Sequence, residues 1–540
     1  MNRIMNHSFI YLSVHNFHTM NREHFLEVLA NRKQWDVAVI GGGATGLGIA
    51  VDASLRGFSV VLFEAFDFCK GTSSRSTKLV HGGVRYLAQG DVFLVMEALK
   101  ERGILLRNAP HLVKDQTFII PADRWWEGPF YTIGLKLYDL LAGKWSFGRS
   151  VFLRRKLARM ALPSVLPERL KGGILYHDGQ FDDTRMGIAL AKTAAAHGAC
   201  LLNYMPVTDF YKNDEGKLTG LKVQDAESGK TFDVHARCII NATGVFADSL
   251  RKMENPRTKK MIRPSQGIHI VLDASFLHGT NALMIPKTDD GRVLFAIPWH
   301  GKVVVGTTDT PVEQVSIEPS ALDEEIDFIL KTAAGYLVRP PSRNDILAVF
   351  AGLRPLAAAE GQEQKTKEIS RRHKLELSDG GLITITGGKW TTYRRMAEET
   401  LDFAIKHGFL PSRPCITKKI PLHGYMKNPD WSDPFHVYGA EAETIRDLMK
   451  SLPDGERFLH PDFPYTVAEV VWAVREEMAR TIEDILARRT RMLFLDAEAA
   501  LQCASSVAEI MAAELKKDKT WIESQIQAFR EVASRFIPSK

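Results

Sequence analysis

Gly41, Gly43 and Gly46 form a Gly-x-Gly-x-x-Gly turn directly after the β-branched run 35–40. That order serves phosphate chemistry. Gly41 permits a tight turn, Gly43 lets the backbone approach a pyrophosphate, and Gly46 lets the following helix pack closely on the strand. The pyrophosphate then rests on a helix N-terminus, where unpaired N–H groups and the helix dipole favour negative charge. Glu64, about 20 residues downstream at the end of the apolar run 59–63, suits ribose hydroxyls and would repel a 2′-phosphate. Strand, glycines, helix, strand and acid in register predict a Rossmann-type dinucleotide unit over 36–64. The unit alone does not distinguish FAD from NAD.

Two later segments repeat this grammar. Residues 238–244 read as an apolar strand ending in a small-residue turn at Gly244, and 382–386 read as a strand followed by Gly387, Gly388, Lys389, Trp390 and Thr391. Both offer a backbone turn or helix start to an anion. Together with 36–64 they predict one discontinuous dinucleotide domain.

Other residues offer acid–base and phosphate chemistry. His269 lies in the alternating run Gly267-Ile-His-Ile-Val-Leu272, on the strand face opposite Ile268 and Ile270. Imidazole suits proton transfer near neutrality, although a lone strand histidine is more often a structural residue. Arg354 sits in Gly352-Leu-Arg-Pro355, read as a turn restrained by proline, with small apolar neighbours that give no other reason for a charge. A guanidinium there suits a phosphate, whose oxygens its planar fork can grip in pairs.

The segment 71–87, Gly-Thr-Ser-Ser-Arg-Ser-Thr-Lys-Leu-Val-His-Gly-Gly-Val-Arg-Tyr-Leu, is polar and glycine-rich, and packing does not explain it. It closely resembles the flavin-contacting loop of FAD-dependent glycerol-3-phosphate dehydrogenases. The resemblance continues in order through 241–244, 267–270, 297–299, 306–309, 351–355, 369–371 and 387–394, and 487–496 is similar to the family's C-terminal helical domain. Arg75 and Thr77 stand where smaller or different polar residues are common, and Trp390 replaces a frequent leucine.

The resemblance implies a flavoprotein of the D-amino-acid-oxidase-like superfamily. Such an enzyme oxidises sn-glycerol 3-phosphate to dihydroxyacetone phosphate by hydride transfer from C2 to FAD, with a membrane quinone as the usual acceptor. By the same comparison the turn at Gly387, Gly388, Lys389 and Thr391 lies near the isoalloxazine ring, and Ser73, Ser74, Lys78 and His81 line its approach. Arg85 with Tyr86, Arg354 and Arg371 occupy substrate-contacting positions. For Arg371, followed by Arg372 and His373, a solvated basic run competes with that role. His269 is expected as the base, with a hydroxyl network around Arg354 as the alternative. Lys389 either holds substrate oxygens or stabilises negative charge on the reduced flavin. A glycerol-3-phosphate oxidase using oxygen, an amine-oxidising relative and a non-catalytic flavin-binding membrane protein are the competing readings.

These residues require an α/β architecture of several units. The expected division is a leader over 1–35, a Rossmann-like FAD-binding domain over 36–108, 179–262 and 351–400, a mixed α+β substrate or cap domain over 109–178 and 263–350, and a C-terminal helical domain over 401–540. The last is read from helical periodicity at 467–491 and 497–514, and packing or homodimerisation is its expected role. The leader lacks a signal peptide's order of basic, apolar and small residues, and Met20 is an alternative start to Met1.

Composition narrows the classes further. Apolar residues make up 45% and charged residues 25%, as in soluble globular proteins. No run reaches the ~20 apolar residues of a spanning helix. The net charge of +6 fits an anionic substrate or lipid surface, and no nucleic-acid partner is expected. Residues 124–159 mix aromatic residues with Arg149, Arg154, Arg155, Lys156 and Arg159, which suits either a headgroup zone or a solvated basic helix. The expected location is therefore cytoplasmic, peripheral to the inner face of the cytoplasmic membrane. The five cysteines are widely spaced, with no CxxC and no HExxH, so no metal is expected and electrons should leave directly from FAD.

Overall fold

The computed structural model describes residues 20–538, except 85–86, 88–90, 125–126, 287, 289–290 and 358–372. Its first layer grows from the apolar run Gln34–Ile40, which forms the centre of a parallel sheet because both of its faces are covered. The strand order is Lys374–Leu377, Leu382–Thr386, Thr231–Asn241, Gln34–Ile40, Val60–Phe63 and Cys200–Leu202, and all but Lys374–Leu377 run parallel along this path. A hairpin of Val207–Lys212 and Leu218–Gln224 extends antiparallel from the outer half of Thr231–Asn241. Helix Ala44–Leu55 covers one face together with Asp183–Ala196 and Tyr393–Lys406. The three strand ends expected to face a dinucleotide thus lie side by side.

The second layer is a ten-stranded, mostly antiparallel sheet. Strand Ile262–Asp273 pairs on one side with Lys302–Gly306 and on the other, along nearly its whole length, with Ile346–Ala357. The sheet continues through Leu294–Trp299, Ala282–Ile285, Val113–Ala122 and Gly172–Phe181 to the short strand Leu79–Val80. Its two faces bury different cores. Ile268, Ile270 and Leu272 pack against helix Asp323–Ala334, whereas Val271 and Phe350 pack against the C-terminal helices. That alternation places His269 on the C-terminal side, stacked on Phe350 at 4.9 Å and 18°.

Domain limits differ from the sequence expectation in two places. The boundary drawn at 350/351 falls inside Ile346–Ala357, a strand of the second sheet. Arg354 accordingly lies in a strand opposite Ser265, not in a turn; Ile346–Ala357 is an edge strand, where Pro355 disrupts no further ladder. The leader is not separate from residue 20 onward. Helix Arg22–Asn31 is capped by Asn21, packs Phe25 and Leu29 into the nucleotide core, and ties buried Arg22 to Asp225 at 2.6 Å.

The C-terminal helices Ala442–Ser451, Val467–Glu476, Ala497–Leu515 and Lys519–Ala533 form the third unit. The helical period expected over 467–491 is interrupted. Val467–Glu476 ends early and the chain resumes as a π-helical turn, Asp484–Arg489, whose two arginines reach back under the nucleotide domain. Arg488 Nε lies 2.5 Å and Arg489 Nη1 2.7 Å from Asp67 Oδ2. Burial alone would raise the Asp67 carboxyl, but the two guanidinium groups outweigh it and hold it down at about 2.

Candidate active site

The turn after the first strand is built as its glycines require. Gly41 has φ 107°, and a β-carbon there would lie 2.7 Å from the Ala242 carbonyl oxygen, so the neighbouring strand excludes any side chain. Gly46 packs its helix against the Gly41 carbonyl. The helix start faces the 71–78 loop, where Ala44 N donates to Ser73 Oγ at 3.0 Å. The Glu64 carboxylate accepts from Gly42 N at 2.6 Å and from Phe66 N at 2.9 Å. Burial raises its pKa against those two N–H groups.

A cavity of about 660 Å³ runs from Glu64 and Phe246 past Gly41, Gly43, Ser73 and Gly244 to Gly387, Gly388, Lys389 and Thr391, and there meets His81, His269 and Arg354. Gly387 and Gly388 both have positive φ, 79° and 72°, which turns this backbone toward the cavity before helix Tyr393–Lys406 begins. Thr391 Oγ1 accepts from His81 N at 3.2 Å, and Trp390 Nε1 donates to the Ser73 carbonyl at 2.8 Å. The tryptophan noted as a departure therefore pins the same loop that caps the helix start. The dimensions suit one extended ligand.

At the far end His269 Nε2 lies 2.9 Å from Thr77 Oγ1, while Nδ1 is buried with no hydrogen-bond partner among the described residues. Burial, with Lys78 and Arg354 nearby, pushes the imidazole pKa well below its usual value, so the ring is neutral. Arg354 Nη1 donates to the Gln266 carbonyl at 3.2 Å, and Nη2 donates to Thr307 Oγ1 and to the Thr308 carbonyl, each at 3.0 Å. Gly267 makes this position possible, since a β-carbon there would overlap the guanidinium. A neutral proton acceptor and two cationic side chains, Arg354 and Lys389, thus share one cavity with a dinucleotide cradle.

Two expected residues face elsewhere. Ser74 Oγ donates to Gly71 O at 3.2 Å, and the fully buried Lys78 Nζ donates to Asp183 Oδ2 at 2.7 Å and to Ser74 O at 2.6 Å. Neither side chain lines the cavity. Their position follows from Asp183, which draws the lysine inward. Burial, with Arg491 close by, pushes the Lys78 ammonium down to about 7 against the pull of Asp183. Arg85, Tyr86 and Arg371 lie outside the described residues.

Sequence reasoning missed Arg75 and Thr77 as site residues. Both line the cavity, and Arg75 donates to the Ala351 carbonyl at 3.0 Å and pairs with Glu318 at 2.5 Å. Their polarity within a loop that packing does not explain was the available signal.

The model of FAD-dependent oxidoreductases matches residues 36–394, and that of the C-terminal domain of alpha-glycerophosphate oxidase matches 383–521. The chain is 40% identical to the mitochondrial glycerol-3-phosphate dehydrogenase of Mus musculus, over 96% of this chain and 75% of that protein. It is 38% identical to the Schizosaccharomyces pombe protein of the same name, over 95% of this chain and 89% of that one. Its structure superimposes on that of the FAD-complexed glycerol-3-phosphate dehydrogenase of Bacillus halodurans with a TM-score of 0.79 at 28% identity, covering 96% of this chain and 98% of that one. The L-alpha-glycerophosphate oxidase of Mycoplasma pneumoniae, 18% identical with a TM-score of 0.55, shares the fold.

Proposed function

Because this chain belongs to the FAD-dependent glycerol-3-phosphate dehydrogenases, we propose that it oxidises sn-glycerol 3-phosphate to dihydroxyacetone phosphate and passes the electrons to a membrane quinone. The observation that carries the reaction is the neutral His269 beside Arg354, in the cavity whose other end is the glycine cradle. Bound FAD supplies the hydride acceptor. The residues for holding it are Gly41, Gly43, Gly244, Gly387 and Gly388, with the helix N-terminus at Ala44 and the carboxylate of Glu64.

His269 is assigned as the base. In the tautomer that carries its proton on Nε2, 2.9 Å from Thr77 Oγ1, Nδ1 keeps the lone pair that takes the proton of the substrate's C2 hydroxyl. Arg354 and Lys389 supply positive charge for the substrate's phosphate and developing carbonyl oxygen. Arg354 is held by the Gln266 carbonyl, Thr307 Oγ1, the Thr308 carbonyl and, at 3.4 Å, the Asp309 carboxylate, so it is already oriented when it meets an anion.

The quinone assignment rests on a separate surface. Helix Glu127–Ala142 turns Ile133 and Leu140, 72% and 75% exposed, outward on one face with Leu137, and Phe152, Leu157 and Met160 lie exposed on the adjoining strand and helix. Lys136, Lys144, Arg149, Arg154, Arg155 and Lys156, in the same stretch of chain, are also exposed. Apolar side chains accompanied by cations suit insertion into the headgroup zone of an anionic leaflet, on the inner face of the cytoplasmic membrane. No helix among the described residues is long and apolar enough to cross a membrane.

The test is anaerobic addition of sn-glycerol 3-phosphate to the purified protein, followed by a quinone analogue or oxygen. Bleaching of the flavin and fast recovery of colour with quinone is expected. Absence of bleaching overturns the reaction, and recovery with oxygen alone overturns the acceptor. Flotation with anionic liposomes that survives Ile133→Ser with Leu140→Ser would dismiss the docking surface.

A further inference from the structure

Beneath the cavity, outside its lining, lies a buried charge cluster that the reaction does not use. Arg491, from the C-terminal unit, has the left-handed conformation φ 66°, ψ 3°, which residues with a side chain rarely adopt, at the junction between the π-helical turn and helix Met492–Leu495. That conformation directs its side chain into the nucleotide domain. Nη2 donates to Asp183 Oδ1 at 3.0 Å and to the Ser74 carbonyl at 3.2 Å, and Nη1 donates to Ala487 O at 2.9 Å. The guanidinium lies over the ring of Phe494 at 4.4 Å and near that of Trp299 at 5.4 Å. It is fully buried, so its charge has no solvent to fall back on.

Asp183 gathers the loop from the other side. Its Oδ2 accepts from Ser76 Oγ at 2.7 Å and from Lys78 Nζ at 2.7 Å, and Lys78 returns to the Ser74 carbonyl. Residues 74, 76 and 78 are thus fastened to one carboxylate and one guanidinium. Neighbouring positions do the contacting: Ser73, just before them, meets the helix start, and Thr77, between them, meets His269.

We propose that Arg491 is a positioning residue for the bound flavin: through Asp183 and the Ser74 carbonyl it sets the shape of the 73–77 loop, so that the C-terminal unit governs how firmly FAD is held. The proposal rests on the FAD reading of the cavity. It assigns the C-terminal unit a role at the cofactor across the domain boundary, in addition to packing.

Arg491→Met and Arg491→Lys test it on the full-length chain. Three readouts are taken: FAD affinity of the apoprotein, by quenching of flavin fluorescence; the visible circular dichroism of the bound flavin; and the melting temperature. Arg491→Met is expected to weaken FAD by about tenfold or more, the scale of losing hydrogen bonds to a charged group, and to change the flavin dichroism. Arg491→Lys keeps the charge opposite Asp183 but loses the forked donation, and should recover part of both. FAD affinity and dichroism equal to the unaltered protein, with only the melting temperature lowered, would make Arg491 a packing residue and overturn the proposal. Should Arg491→Met fail to fold, Arg491→Lys decides alone: weaker FAD supports the assignment and unchanged FAD refutes it. An unaltered chain that binds no FAD would instead refute the cofactor reading.

Discussion

Gly267 and Arg354 compete for one space: the guanidinium crosses the strand where any β-carbon at 267 would stand. The edge strand Ile346–Ala357 carries the arginine and its neighbour Ile262–Asp273 carries the vacancy, two positions away in register and so on the same face. Gly267→Ala should therefore displace Arg354 without touching the glycine cradle. Steady-state kinetics should show kcat/KM for glycerol 3-phosphate falling by about tenfold to a hundredfold, while FAD retention stays unchanged. Unaltered kinetics would mean that Arg354 does not meet substrate.

His269→Ala should lower kcat by about 10²- to 10⁴-fold with the protein still yellow, since the side chain is assigned to the proton and not to the cofactor. Thr77→Val, which removes the partner of Nε2 at 2.9 Å, should cost a smaller factor by releasing the tautomer. Near-normal turnover in His269→Ala would take the base elsewhere in the cavity.

Because burial, Lys78 and Arg354 all depress His269, the imidazole stays unprotonated well below its ordinary pKa of about 6.5. The pH profile of kcat should therefore lack a rise centred near that value and stay flat toward more acidic pH until other groups titrate. An ascending limb near pH 6.5 in kcat at saturating substrate, where the free substrate's phosphate does not enter, that disappears in His269→Ala would show a solvent-accessible histidine acting as the base.

Glu469 sets a different pH dependence, on stability. Burial raises its carboxyl to about 7, although Thr466 N at 2.8 Å and Tyr438 OH at 3.0 Å hydrogen-bond to it. A folded-state pKa above the unfolded value means that the protein is favoured most below about 4.5 and loses that contribution as pH rises through about 7, a change of about 3 kcal/mol at most. Glu469→Gln should flatten this part of the curve in chemical denaturation between those pH values. An unchanged slope would place the charge elsewhere.

The nucleotide cradle was legible because its signals are local: an apolar run, glycines that backbone geometry demands, and an acid at the next strand's end. The strand alternation around His269 was legible for the same reason, and the two cores on either side of that sheet bear it out. Arg354 was misplaced in a turn because proline reads as a strand breaker, while the edge position that tolerates it depends on a partner some 90 residues away. Arg488, Arg489 and Arg491 were placed only within the C-terminal helical segment, with no role assigned, because their partners, Asp67 and Asp183, lie hundreds of positions upstream. Lys78 was placed among the flavin contacts by the family resemblance of its loop. Asp183 pulls it to the other side, and nothing within the loop announces that carboxylate.

The order of strands in the nucleotide sheet also governs when the cradle can exist. Leu382–Thr386 pairs with Thr231–Asn241, which in turn separates it from the first strand, Gln34–Ile40. During synthesis, at about 5–20 residues per second, the glycine turn at 41–46 emerges long before the strand that completes its sheet. Until then the edge of Thr231–Asn241 stays open, and the helix Tyr393–Lys406 that covers Ala44–Leu55 is missing. Cofactor loading is consequently a late event on the ribosome, and a chain cut short before residue 386 would present an unfilled strand edge to chaperones instead of a holoenzyme.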